Sequence, residues 1–252
     1  MNKQEILERI REKREFSQLP EKDIEMAYEH FTRRQTSEDE KIKLTKEVLR
    51  KIFSAFVSKK LLSLKNKDEQ WILRKHISTR ERLPHYKEIY KRLFGEYKKA
   101  SVIDLGAGIN GFSYNFLGID AKYTAIESVG QLVELMNFYF KKKKINGKAI
   151  HLSLFEKEKV LKIIKKEKKP KIVLMFKVLD ALETLKRDYS KELISEIVPF
   201  ADRIAVSFAT KSLGSREKFR AKRNWIVDFI KDNFKILDDF EIGGERYIVF
   251  RK

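Results

Sequence analysis

Asp104, Gly106, Gly108, Gly111 and Glu127 are the residues of this chain whose types and spacing could hold a ligand. The stretch "SVIDLGAGINGF" (101–112) is an apolar strand running into a turn that satisfies G-x-G-x-x-G. In that pattern, backbone N–H groups at a helix start cradle a pyrophosphate. Asp104 stands two residues before the first glycine, an arrangement that equally suits S-adenosylmethionine (SAM), where no pyrophosphate has to be held. Glu127 closes the next strand, 21 residues after Gly106, where a carboxylate accepts hydrogen bonds from both ribose hydroxyls of either ligand. The glycine turn alone leaves the two ligands open.

Other chemistries find no constellation. The four histidines, His30, His76, His85 and His151, show no metal-ligand spacing, so no metal is expected. No nucleophile stands beside a base and no carboxylate pair is suited to hydrolysis. The chain has no cysteine and its apolar runs are strand-sized, which excludes a disulfide framework and a membrane span. The start, "MNKQEILERIREKREF", is charged and amphipathic with acids throughout, unlike a secretory signal or transit peptide, so a cytoplasmic monomer is expected.

The elements that must position these residues fall into two groups. Residues 1–75 read as helices, "KQEILERIREKREF", "PEKDIEMAYEHFTRRQ" and "SEDEKIKLTKEVLRKIFSAFVSKKLLSL", with apolar residues at three- and four-residue steps and Ser37 as an N-cap. Residues 76–252 form the second unit. Within it "SVIDL", "KYTAIE", "KAIHL", "KIVLMF" and "RIAVSF" alternate with helical segments, which implies a parallel sheet covered on both faces. The end, "FKILDDFEIGGERYIVFRK", is a hairpin joined at Gly243–Gly244. A mostly parallel, Rossmann-like sheet of seven strands ending in an antiparallel hairpin is the plan of class I SAM-dependent methyltransferases, and it favours SAM over a dinucleotide. The expected fold is therefore that α/β domain plus a helical N-terminal domain.

Charge points to a polyanion. The net charge is +19, of which +5 falls on residues 1–75 and +14 on the remainder, with the glycine turn. The segment "KSLGSREKFRAKR" (211–223) follows the fifth strand and sets six cations against one acid. Lys211, Ser212, Arg216, Lys218, Arg220, Lys222 and Arg223 are its candidate RNA contacts, beside the crevice that open α/β sheets form at strand carboxyl ends. In "HISTRERLPHYKEIYKRLF" (76–94), Ser78 or Thr79 is placed to cap a helix. There Arg80 is either part of that helix or a guanidinium for the methionyl carboxylate of SAM.

The motifs "HISTRERLPHY", "SVIDLGAGING", "VLMFKVLDALE" and "SFATKSLGSREKF", in this order and spacing, resemble the aminoglycoside-resistance 16S rRNA methyltransferases that modify guanine N7 in the decoding region. The resemblance covers roughly residues 70 to 252 and implies a SAM cofactor and a small-subunit 16S rRNA partner. It assigns Arg80 to the SAM carboxylate, Asp104, Gly106, Ala107 and Gly108 to the methionine and ribose wall, and Glu127 to the ribose hydroxyls. Lys177 and Leu179 would floor the base pocket, with the Lys177 ammonium turned to phosphate or a carbonyl. Phe208, Thr210, Lys211 and Ser212 would meet the guanine or its backbone. Two departures stand out. The family commonly has a proline near Asp180, and many methyltransferases carry an acid for the adenine amine where this chain has Ser153 and Leu154, with Glu156 two positions on.

The implied reaction needs no catalytic base, because guanine N7 offers an in-plane lone pair and carries no proton. Two other readings stay open: N1 methylation of an adenine with Asp180 as base, and a non-catalytic ribosome-assembly factor on the same fold. The N-terminal residues 1–70 are expected to dock RNA and to be dispensable for the cofactor site.

Overall fold

The computed structural model describes residues 1–54, 68–210 and 223–252. Helices α1 (Lys3–Arg11), α2 (Glu21–Glu29) and α3 (Glu38–Leu49) open the chain, and α3 runs into a π-helical turn, Arg50–Ser54. Ser37 caps α3, its hydroxyl accepting from the Glu40 N–H at 3.3 Å. Helices α4 (Glu69–Lys75), α5 (Ile77–Arg82) and α6 (Tyr86–Phe94) lead to the sheet. There the capping expectation fails. His76 and His85 hold the N-cap positions of α5 and α6, while the Thr79 hydroxyl donates inward to the carbonyls of Leu73 and His76.

Seven strands follow: β1 (Lys99–Leu105), β2 (Asp120–Glu127), β3 (Gly147–His151), β4 (Lys171–Phe176), β5 (Arg203–Ala209), β6 (Lys235–Ile242) and β7 (Glu245–Arg251). Their order is β3-β2-β1-β4-β5-β7-β6, with β7 antiparallel to both neighbours. Buried on both faces, the central strands are near-continuous apolar runs; every residue of β4 is buried. Gly243 and Gly244 take φ of +64° and +78°, the pair of positive values a tight hairpin turn requires. This turn has a consequence for the site. Reversal places the start of β7 beside the carboxyl end of β5, with Glu245 opposite Ala209.

Helices α7 (Gly130–Lys142), α8 (Lys157–Lys166), α9 (Leu179–Leu185), α10 (Tyr189–Ile197) and α11 (Asn224–Asn233) complete the layers. One face of the sheet packs on α8 to α11 through Val160, Leu193, Ile194 and Ile226. The other packs on α6 and α7, in an apolar cluster that continues into Ile10, Phe16, Ile24 and Leu49 of the N-terminal region. Each fully buried side chain of this kind contributes roughly 1.5–3 kcal/mol. The helices before residue 75 thus share a core with the sheet.

Candidate cofactor site

Beyond the carboxyl ends of β1, β2 and β4 lies a cavity that is partly open to solvent. Gly106, Ala107 and Gly108 line it. Gly106 has φ of +68°, and a Cβ there would lie 2.5 Å from a Val178 methyl, so only glycine lets the turn pass close to the β4 loop. The pyrophosphate reading of the turn weakens at the next step. The chain continues as a 3₁₀ segment, Asn110–Phe116, and not as a regular α-helix with its aligned N-terminal N–H groups. Gly111 serves packing: a Cβ there would meet the Phe140 ring at 2.7 Å.

Asp104 is 1% exposed and lines the cavity. Its Oδ2 accepts from the Tyr123 hydroxyl and from Asn110 Nδ2 at 2.8 Å, and Asn110 is held by Tyr86 of α6 at 2.8 Å. Its Oδ1 makes no hydrogen bond. Burial raises the Asp104 pKa, against the opposing hydrogen bonds of Tyr123 and Asn110 and the Arg82 charge. Glu127 accepts the N–H of Val129 at 2.8 Å on Oε1 and that of Gly108 at 2.7 Å on Oε2. Burial raises its pKa as well, with the backbone donors opposing. Each Glu127 oxygen has a second lone pair left for a donor.

The "HISTRER" element enters the cavity through His76, Ser78, Thr79 and Arg82. Arg80, the guanidinium singled out from the sequence, is exposed and does not line the cavity. The helix explains the exchange: residues 76, 79 and 82 recur at three-residue steps and share a face, and Arg80 lies off it. Arg82 Nε donates to both Glu245 oxygens at 3.1 Å, and its guanidinium lies 4.8 Å from the Phe176 ring centre. Burial opposes its charge, but Glu245 beside it raises the Arg82 pKa. His76 is pushed down to about 3, by burial first and by the charges of Arg82 and Lys177, so it is neutral at ordinary pH.

Lys177 lines the cavity in a left-handed conformation, φ +54°, unusual for a side chain of its size. Its ammonium points neither to a carbonyl nor into open space for a phosphate. It pairs with Glu81 at 2.6 Å and Glu245 at 3.2 Å. Leu179 does not line the cavity: α9 turns it into the opposite core, and Val178, Ala181 and Leu182 face the cavity instead. Phe208 is buried in that same core, and Thr210 donates to Glu241 at 2.7 Å; neither lines the cavity. Leu154 lines it, whereas Ser153 stands behind the wall. Lys211, Ser212, Arg216, Lys218, Arg220 and Lys222 lie outside the described residues. Arg223 grips Asp180, with Nε 2.9 Å from Oδ1 and Nη2 2.7 Å from Oδ2.

Several wall residues escaped the sequence reading. Asp23, Ile52 and Phe53 come from the N-terminal helices, so the expectation that residues 1–70 are dispensable for the site does not hold. An acid in the buried stripe of α2, next to Ile24 and Ala27, was the available signal for Asp23. Among the described residues no group of three or more His, Cys, Asp or Glu side chains could hold a metal, and no helix is long and apolar enough to cross a membrane.

A family model described as ribosomal RNA methyltransferase (FmrO) matches residues 33–228. A curated 16S rRNA (guanine(1405)-N(7))-methyltransferase of Micromonospora echinospora is 26% identical over 184 residues, covering 70% of this chain and 63% of that protein. One of the same name from Frankia casuarinae (strain DSM 45818 / CECT 9043 / HFP020203 / CcI3) is 30% identical over 156 residues, covering 58% and 50%. The chain thus spans between half and two thirds of the length of these relatives. The crystal structure of the 16S rRNA methyltransferase RmtF in complex with S-adenosyl-L-homocysteine superposes over 100% of both chains, with a TM-score of 0.80 at 21% identity. That of the 16S rRNA methylase RmtB superposes over 100% of this chain and 99% of its own, at 0.78 and 20%. At these identities the superpositions establish the fold, that of a class I methyltransferase. With the family model covering most of its length, the chain belongs to the FmrO family of ribosomal RNA methyltransferases.

Proposed function

We propose that this protein transfers a methyl group from SAM to N7 of a guanine in the decoding region of small-subunit 16S rRNA, acting as a cytoplasmic monomer. The cavity fits the cofactor by its donor and acceptor set. The unpaired Asp104 Oδ1 and the Glu127 carboxylate supply acceptors for an ammonium and two ribose hydroxyls, beside a glycine cradle a Cβ would fill. Arg82 takes the place given to Arg80, as the buried guanidinium that lines the cavity among the described residues. When bound, SAM supplies a methyl group on a sulfonium centre, ready for in-line displacement.

The residues around the β4 loop support N7 as the acceptor. N7 attacks with a lone pair and loses no proton, so the protein's work is to align it. Asp180, the acid the sequence offers as a base for an N1 target, does not line the cavity and is held bidentately by Arg223. That clamp on Asp180 is the observation that carries the choice of N7. Lys177, neutralised by Glu81 and Glu245, presents no free charge to a ring that becomes cationic. The basic segment 211–223 and the N-terminal helices provide the RNA contacts. A base within a stacked helix must be flipped out to reach an active-site cavity. The product's fixed positive charge and lost acceptor would repel cationic aminoglycosides, which gives the reaction a role in resistance.

The test is chemical. N7-methylguanine has a labile imidazolium ring, so small-subunit rRNA from a host expressing the protein should be cleaved at one decoding-region guanine by borohydride followed by aniline. No cleavage, with a reverse-transcription stop at an adenine, overturns the N7 reading.

A further inference from the structure

We propose that Asp23, carried by helix α2, reads the exocyclic amino group of the cofactor's adenine and so makes the N-terminal helices part of the cofactor site. The proposal rests on the reading of the cavity as a SAM site.

The segment after β3 has no acid for that amine, since Ser153 and Leu154 occupy its place. The structure brings one there from 130 residues away. Asp23 is 2% exposed and lines the cavity together with Ser128, Leu132, Leu154 and Phe155. Its Oδ1 accepts from Ser153 Oγ at 2.7 Å. Ser153 Oγ in turn accepts the Phe155 N–H at 3.1 Å, so its single proton is committed to Asp23. The serine therefore orients the carboxylate and does not face the ligand. Asp23 Oδ2 makes no hydrogen bond.

A buried, unpaired carboxylate oxygen is costly to leave unmade. No cation is among the groups that most strongly set the state of this one. Burial and the charges of Glu127 and Glu156 push its pKa up to about 7, with the Ser153 and Ser128 hydroxyls opposing. Ser128, on the same wall, acts on the carboxyl without making a hydrogen bond to Oδ2, which still lacks a donor. Leu132, Leu154 and Phe155 form apolar walls for a flat ring, and a purine carrying an amino group offers its donor at the ring's edge. An amine satisfies Oδ2. A purine with hydrogen at position 6 would leave Oδ2 unpaired.

Calorimetry with two ligands tests this: S-adenosylhomocysteine and the analogue with hydrogen at purine position 6. The wild-type protein should bind the adenosyl ligand about tenfold or more tightly than the 6-hydrogen analogue. Asp23→Ala should abolish the preference, so that the adenosyl and 6-hydrogen ligands bind with the same affinity. Near pH 6.5, titration in two buffers of different ionisation enthalpy should show roughly half a proton or more released by the wild type and not by Asp23→Asn. If the wild type binds the adenosyl and 6-hydrogen ligands equally, Asp23 does not read the amine, whatever the variants do. The same conclusion follows if Asp23→Ala keeps the full preference. If the wild type binds no S-adenosylhomocysteine, the cofactor reading itself is overturned.

Discussion

Replacing Asp23 by asparagine should change how the stability of the ligand-free protein depends on pH. The folded carboxyl is raised from an ordinary value near 3.8 to about 7, by burial first and then by Glu127 and Glu156. The unfolded chain ionises it near its ordinary value. A group whose folded pKa is raised contributes stability that is complete below the unfolded pKa and lost as pH rises through the folded one. The window therefore opens near pH 4 and closes near pH 7. The gap between the two values sets a total on the order of 4 kcal/mol, with a slope of about 1.4 kcal/mol per pH unit inside the window. Asparagine is close in shape, keeps an oxygen for the Ser153 hydroxyl and does not titrate. The assay is urea unfolding of both proteins between about pH 5 and pH 8. The wild type should lose about 2–3 kcal/mol relative to Asp23→Asn across that range, the two curves running parallel above pH 7. Because every other titrating group is common to both, parallel curves throughout would refute the idea that Asp23 is buried and uncompensated.

Glu245→Gln leaves the buried Arg82 guanidinium without its counter-charge and should cost about 3–5 kcal/mol in the same unfolding assay, whereas Glu81→Gln, at a carboxylate 35% exposed, should cost less than about 1 kcal/mol; equal losses would show that the network does not depend on burial. Gly106→Ala and Gly118→Ala both force a side chain to positive φ, at roughly 1–2 kcal/mol, but only at Gly106 does the new Cβ meet Val178 at 2.5 Å, with open space around Gly118. Only Gly106→Ala should therefore also weaken S-adenosylhomocysteine binding in calorimetry, and an equal effect of both would remove the glycine turn from the cavity.

The sheet was legible because its strands are buried on both faces and so read as unbroken apolar runs. β4 spans 171–176 as expected, and the Gly243–Gly244 pair marks the hairpin. β1 begins two residues early, at the exposed Lys99, because pairing with Asp120 extends the ladder past the apolar run. Helical periodicity read 37–64 as one helix, but a π-helical turn at 50–54 carries no periodic signal and follows α3 directly. The site was legible where a local turn defines it, at Asp104, Gly106, Gly108 and Glu127. It was not legible where distant elements meet. Arg82 and Glu245 are 163 residues apart in sequence, and Asp23 and Ser153 are 130 apart. Lys177 illustrates the limit. The sequence reading turns its ammonium to phosphate or a carbonyl, and only the fold brings two carboxylates to it.

The electrostatics of the cavity argue that it is built around a ligand rich in donors. Asp23, Asp104 and Glu127 all line it, and burial raises the pKa of each. Asp23 and Asp104 each keep an oxygen with no protein partner. A structural ion-pair cluster would interleave cations, as the other side of the same cavity does with Arg82, Lys177, Glu81 and Glu245. With no cation bonded to any of them, three buried acids lower the stability of the ligand-free fold, and apolar residues would fill the space more cheaply. Their retention makes physical sense if a ligand brings the missing donors, because binding then returns the lost stability by mass action. An ammonium, two ribose hydroxyls and an adenine amine are such a set. Asp23 also ties the N-terminal helices to this wall of the cavity, because its Oδ1 is already held by Ser153 of the segment after β3.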